Sequence, residues 1–320
     1  MATETILVTG GAGAIGSRLV RELCQEHQVL VLDDLSSGFV DNLQDLPVRF
    51  WRGSVVDEEI LREVFAEKPT VVFHLAANFA NQNSVDYPQK DLLVNGMGTL
   101  KVLQHATDVG VKRFVYSSSS CIYGNASGVA ALSESIREYS LDTPYAVTKL
   151  LGEQYVRFFH EHHRLPAVIL RFFNSYGPGE YPGKYRNVIP NFMYRAMTGQ
   201  PLVITGDGEE TRDFTFIGDT VNAVKLAMSK AEAVGGTFNV GSGRETTVRE
   251  LAETILDVSG STIPIEYRPR RNWDSVSRRC ADISRARAVL SYVPSTTLRE
   301  GIERTHRWFM EKDVVRRSAM

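Results

Sequence analysis

Short apolar runs alternate with amphipathic stretches through the first half of the chain. TILVTG is followed by SRLVRELCQEH, then come QVLVLDD, VRFWRGS, DEEILREVFAE, TVVFHLAA, a helical pattern through LLVNGMGTLKVLQHAT, RFVYSSSS and PAVILRFFN. Strand-length runs separated by helix-length stretches predict βαβ units and a parallel sheet. The runs are continuously rich in Val, Ile and Leu, so their strands are expected to be covered by helices on both faces, a doubly wound Rossmann-type α/β fold. From about Gly177 the rhythm gives way to Pro- and Gly-rich loops, YGPGEYPGKY and GDGEETRD, with one later run, TFNVG, able to rejoin the large sheet. Residues 1–177, with 214–241 rejoining them, are expected to form the large unit, and 178–320 a smaller C-terminal α/β unit. The tail Val314 to Met320 is expected to fray.

Composition narrows the partners. The chain has 320 residues, 43% hydrophobic and 23% charged, as in ordinary globular proteins. Its 36 Lys and Arg against 38 Asp and Glu leave a formal charge of -2, which offers no basic field to a nucleic-acid backbone. Small molecules, or a second copy of the chain, are the expected partners. The start MATETILVTGG has no basic n-region or long apolar h-region, and no run approaches bilayer length, so a cytoplasmic, non-membrane location is expected. Cys24, Cys121 and Cys280 have no metal-ligand spacing, and neither a disulfide framework nor a zinc site is expected.

Directly after the first run stands GGAGAIGS, in which Gly10, Gly13 and Gly16 enclose Ala14 and Ile15 and open the helix carrying Leu19 and Leu23. Glycines there let the backbone approach a pyrophosphate, which free N–H groups and the helix dipole favour. The second run ends at Asp33, 17 residues beyond Gly16, where a carboxylate accepts from ribose hydroxyls and repels a 2′-phosphate, favouring NAD over NADP. The neighbouring Asp34 suits capping of the turn that follows; with Ser36, Ser37 and Gly38 it is counted with the cofactor site.

In DTPYAVTKLLGEQYV, Thr143 is a plausible N-cap and Pro144 the first helical residue, so Tyr145 opens a helix and Lys149 shares its face. An ammonium beside a phenol is expected to lower the phenol pKa and make Tyr145 a usable base. Ser117, Ser118, Ser119 and Ser120 close the run RFVY at the carboxyl end of a strand, where open α/β sheets bind ligands. Ser119 is the choice to share a substrate hydroxyl with Tyr145.

TGGAGAIG, VFHLAA, SSSSCIYG, YAVTK, RFFNSYGPG and GDGEETRDF, in this order and spacing, resemble the extended short-chain dehydrogenase/reductase family, and within it the UDP-glucose 4-epimerases. The resemblance covers nearly the whole chain. It implies an NAD-binding Rossmann domain followed by a nucleotide-sugar-binding domain, with Ser119, Tyr145 and Lys149 catalytic. Leu75, Ala76 and Ala77 would follow the dinucleotide, with Ser54, Val55, Asn95, Ser117 and Phe172 also at the cofactor. Ser120, Asn174, Asn187, Val188 and Arg212 would meet the sugar nucleotide, and of the seven arginines between Arg268 and Arg287 only Arg271 is assigned, with Asp274. His74 is expected to be a core residue, not a base.

Two departures from the family pattern bear on the chemistry. Ser54 stands after Gly53 where the family often has an adenine-reading aspartate. Ser120 and Cys121 stand where sugar 4,6-dehydratases carry Asp and Glu, which argues against elimination. The resemblance thus implies NAD-dependent oxidation of a nucleotide sugar to a 4-keto form and return of the hydride to either face. A dehydratase, a uronic acid 4-epimerase or a reductase remain the alternatives, and a non-catalytic dinucleotide sensor is disfavoured by the intact Ser119, Tyr145 and Lys149 set. A homodimer built on the helix after Asp91 and the helix starting at Tyr145 is expected by the same analogy.

Overall fold

The computed structural model describes residues 3–318 except 126–129, 137–138, 140 and 271–275. Arg271 and Asp274 therefore lie outside the described residues.

Seven strands form one parallel sheet: β1 (Thr5–Thr9), β2 (Gln28–Asp33), β3 (Val48–Arg52), β4 (Val71–His74), β5 (Arg113–Ser119), β6 (Ala167–Phe172) and β7 (Thr237–Val240), in the spatial order β7-β6-β5-β4-β1-β2-β3. Every apolar run read as a strand in the sequence is present, and TFNV does pair with β6, Phe238 lying beside Leu170. Alternate residues serve opposite faces, as the pleat requires. Ile6, Val8, Val29 and Val31 pack into one apolar cluster, while Leu7, Leu30 and Leu32 pack into the other.

Helices cover both faces. Leu19, Val20 and Leu23 of α1 (Ala14–Leu23) and Val221 and Val224 of helix Ile217–Ser229 pack on the first face. On the second lie α2 (Glu58–Ala66), α3 (Thr99–Asp108) and α4 (Pro144–His163). The stretch read as one helix before α3 contains a π-helical turn, Leu92–Gly98, with Asn95 inside it. Such turns concentrate at functional sites, and nothing in the apolar periodicity announced it.

A third cluster holds the smaller unit together. Helices Val188–Thr198, Val248–Ser259 and Leu298–Glu311 enclose Tyr176, Phe214 and Phe216, and strand Leu202–Thr205 pairs parallel with Ile265–Arg268. One late segment departs from the expected division. Ala281, Ile283, Ala286, Leu290 and Tyr292 are buried in the first cluster of the large sheet, and Tyr292 donates to the Gly241 carbonyl at 2.9 Å. Their apolar side chains return the chain to the large unit after it has left it.

Candidate active site

The sheet order reverses between β1 and β4, the position at which open parallel sheets leave a crevice at their carboxyl ends. A cleft of about 820 Å³ starts there and runs on between the two units. It is lined by 24 of the 26 assigned positions that the structure describes, from Gly10 to Arg212; the other two, Gly38 and Asn95, lie behind its wall.

The glycine turn fits a bound dinucleotide. Gly10 has φ +71°, and a Cβ on it would stand 2.7 Å from the Ala76 nitrogen; a Cβ on Gly16 would stand 2.2 Å from the Gly10 carbonyl oxygen. Only glycine lets β1, α1 and the Leu75–Ala77 strand end approach so closely. Gly13 is the N-cap of α1 and offers no side chain to its first N–H groups, which leaves them to the cleft. Asp33 lines the cleft at the end of β2 and accepts from the Ala12 and Leu35 N–H groups at 2.9 and 2.8 Å. Burial raises its pKa, and these N–H bonds oppose the rise. Asp34 caps the turn as its position suggested, accepting from the Ser36 N–H at 2.8 Å. Gly38 is buried against Asp33, 3.0 Å from its Oδ1 to an added Cβ, so it shapes the carboxylate's seat and does not face the cleft.

Thr143 caps α4, its hydroxyl accepting from the Ala146 N–H, and Pro144 occupies the first turn. Tyr145 and Lys149 thereby face β5. Lys149 Nζ donates to the Ser117 carbonyl at 2.8 Å and stands 5.8 Å from the Tyr145 ring centre. Burial pushes the Lys149 ammonium down to about 8, with Asp91, Cys121 and Glu153 opposing. The expectation that Lys149 lowers the Tyr145 pKa is corrected. Burial holds the phenol well above its ordinary range, Cys121, Tyr116 and Asp91 add to the rise, and contact with the Ser119 hydroxyl is what favours the phenolate. The ammonium is committed to a backbone carbonyl, and desolvation is the larger effect.

Asn95 is buried and acts from behind. It accepts from the Asn78 N–H at 2.8 Å and donates to Asp91 at 2.9 Å and to Thr148 at 3.2 Å, fixing the π-helical turn against α4 and setting the cleft-lining Asn78. His74 is a core residue. Its ring nitrogens contact the Thr9 and Thr99 hydroxyls at 2.7 and 3.0 Å, and burial, aided by Lys149, lowers its pKa to about 3.

At the other end, Asn187 stands at the N-cap position of helix Val188–Thr198 without a side-chain cap bond, and donates through Nδ2 to Glu180 Oε1 at 3.0 Å. Asn174, Val188 and Arg212 join it on the wall. Burial raises Glu180 to about 7, opposed chiefly by Arg186. Sequence reasoning missed Glu180, Arg186, Cys121 and Arg279 as lining residues. Arg186 reaches over the cleft to donate to the Ser37 carbonyl. Only Cys121 carried a usable signal, its position two after Ser119; Glu180 and Arg186 stood in a Pro- and Gly-rich loop and Arg279 in a run of arginines, with no apolar pattern to orient them.

A glycine turn at a helix N-terminus, a carboxylate closing β2 and a buried Ser, Tyr, Lys set at the next crevice define an NAD-dependent enzyme of the Rossmann-type α/β class. Residues 6–241 match the NAD dependent epimerase/dehydratase family, and the chain belongs to it. It is 36% identical over 312 residues to a UDP-glucose 4-epimerase of Mycolicibacterium smegmatis, covering 96% of this chain and 98% of that one. An epimerase of Methanothermobacter thermautotrophicus superposes with a TM-score of 0.96 at 50% identity, over 99% of this chain and 95% of that one. A UDP-glucose 4-epimerase of Thermotoga maritima, solved with UDP-glucose, superposes at 0.92 with 36% identity, over 96% and 99% of the two chains.

Proposed function

We propose that the chain is a nucleotide-sugar 4-epimerase, like the UDP-glucose 4-epimerases it resembles, with Ser119, Tyr145 and Lys149 as its proton-handling set. The observation that carries the reading is the buried contact of Tyr145 with Ser119, beside Lys149, in a cleft continuous with both the glycine turn and Arg212. The two positions after Ser119 hold Ser120 and Cys121, and a serine and a thiol do not supply the acid and base that elimination of water needs.

NAD, when bound, supplies a reversible hydride acceptor and a positively charged ring that favours the phenolate. Tyr145 then takes the proton of the sugar 4-hydroxyl and Ser119 holds that oxygen as it becomes a ketone. Lys149 keeps its ammonium against β5 through the Ser117 carbonyl and holds that strand end beside Tyr145. Asn187, Val188 and Arg212 hold the nucleotide diphosphate, a planar guanidinium being suited to its oxygens. With that end anchored, the oxidised sugar turns its other face to the cofactor, and Tyr145 returns the proton to oxygen as the opposite configuration forms.

The test is incubation of the NAD-loaded protein with UDP-, dTDP-, GDP- and CDP-hexoses, products being resolved by NMR. A 4-epimer without accumulating NADH is expected; a 4-keto-6-deoxy product would sink the epimerase reading.

We also infer a homodimer through the π-helical turn and α4. Leu92, Leu93 and Met97 are 54%, 49% and 46% exposed, and Val147 and Phe158 on α4 are 47% and 48% exposed. Exposed apolar side chains on two elements that pack against each other support self-association. Among the described residues no helix is long and apolar enough to cross a membrane, and we propose the cytoplasm as the enzyme's location.

A further inference from the structure

Two adjacent arginines have opposite surroundings. Arg278, exposed, forks Glu245 with nitrogen-oxygen distances of 2.9 and 2.6 Å. Arg279 is 7% exposed and lines the cleft, yet among the described residues it meets no carboxylate. Its Nη1 reaches the Cys121 sulfur at 3.6 Å, its Nη2 reaches the Gly124 carbonyl at 3.4 Å, and its Nε is buried without a partner. A thiol is a weak acceptor and one carbonyl does not neutralise a charge. A guanidinium taken out of water this far ordinarily has a carboxylate or phosphate across its fork.

The position of the charge says which part of a substrate it serves. Cys121 is two residues beyond Ser119 and close enough to raise the pKa of both Tyr145 and Lys149. The far side of Cys121 is held by Asn81, whose Nδ2 reaches the sulfur at 3.6 Å and whose Oδ1 accepts from the Thr143 cap. Arg279 thus belongs to the wall around the reacting hydroxyl, whereas the diphosphate has Arg212 and the Asn187 helix end. A neutral hexose would bring only a hydroxymethyl group next to C4 and would leave the guanidinium uncompensated.

We infer that Arg279 receives an anionic group of the sugar itself, and that the favoured substrate is a nucleotide-linked uronic acid, its carboxylate on the carbon next to the reacting C4. The inference rests on the 4-epimerase reading and names its substrate class. Arg279 fixes the carboxylate, so it sets selectivity and holds the ring for proton removal by Tyr145.

The experiment compares kcat/KM of the NAD-loaded full chain for UDP-glucuronate and UDP-glucose by NMR, in the wild type and in Arg279→Gln. The uronate is expected to be favoured, and the substitution to cut that preference by at least roughly tenfold, mainly through KM, the factor expected for losing a single charge-assisted contact. Equal or better use of UDP-glucose by the wild type, or an unchanged ratio in the variant, overturns the inference. If Arg279→Gln does not bind NAD, Arg279→Lys replaces it, with an intermediate ratio expected and an unchanged one fatal. If neither sugar is epimerised, calorimetric binding decides: a preference for UDP-glucuronate that Arg279 substitution removes keeps the receptor and discards the epimerase reading, and no preference discards the receptor. Release of carbon dioxide with a pentose product would likewise keep the receptor and discard the epimerase.

Discussion

Ser118 and Glu153 meet one helical turn beyond Lys149, the serine hydroxyl donating to Glu153 Oε1 at 2.5 Å. Glu153 is fully buried and is gripped from below by Arg171, whose Nε and Nη2 each donate at 2.8 Å. Arg171 Nη1 in turn donates to the Tyr123 hydroxyl at 2.8 Å. The ion pair joins α4 to β5 and β6 directly beneath the catalytic set, so the register of Tyr145 against Ser119 depends on it.

Glu153→Gln should therefore destabilise the fold by roughly 3–5 kcal/mol, because it leaves the buried Arg171 charge uncompensated. Urea unfolding measures this. Adding Arg171→Met should restore part of the loss; additive losses would show that the two residues are not coupled.

Tyr145→Phe removes the proton acceptor and keeps the ring that packs edge-on to Phe79. Turnover is expected to fall by roughly 10²–10⁴ or more, with NAD affinity retained by calorimetry. Unchanged turnover would remove Tyr145 from the mechanism.

Asp33 sits where a 2′-phosphate would meet a second anion, so the wild type should bind NAD more tightly than NADP. Asp33→Asn should narrow that gap by about tenfold, near the 1.4 kcal/mol of one lost charge contact. Tighter NADP binding by the wild type in isothermal titration would refute the assignment.

His74 is held neutral, with a folded pKa of about 3 against 6.5. A depressed histidine contributes stability above 6.5 that is lost as pH falls toward 3, about 2 kcal/mol by pH 5. Glu180, raised to about 7 from 4.5, runs the other way: it adds stability as pH falls from 7 to 4.5. The two offset each other in the wild type between pH 7 and 5. In His74→Gln only the Glu180 contribution remains, and denaturant titrations should show the variant gaining about 2 kcal/mol on the wild type over that interval.

Phe158→Asp places a charge on the apolar surface of α4 and should convert the dimer to monomer by light scattering while leaving NAD binding in place. A monomeric wild type would end the dimer proposal.

The strands and the first helices were legible because their apolar residues recur at the periods that burial on a two-sided sheet demands. Thr143, Pro144 and Tyr145 were legible because capping chemistry is local. Asn95 was legible as a residue type and not as a geometry: a π-helical turn is set by Asp91, Asn78 and Thr148, which the chain brings from 4, 17 and 53 residues away. The protonation of Tyr145 was misjudged from spacing alone, because burial depends on Tyr116, Cys121 and Asp91 arriving from other elements. Arg279 could not be told from its exposed neighbour by any pattern, since one residue's difference in position decides which of them meets Glu245.

The return of Ala281 to Tyr292 to the first face of the sheet has a consequence for biosynthesis. On the ribosome, β1 to β6 emerge early, yet their outer edge stays unpaired until Thr237–Val240 appears, and that face stays partly uncovered until Tyr292 follows. Nascent chains that have completed the cofactor turn still expose apolar surface until Ala281 to Tyr292 have been made. Synthesis of Tyr292, and not completion of the seventh strand, is the step that closes that face of the core.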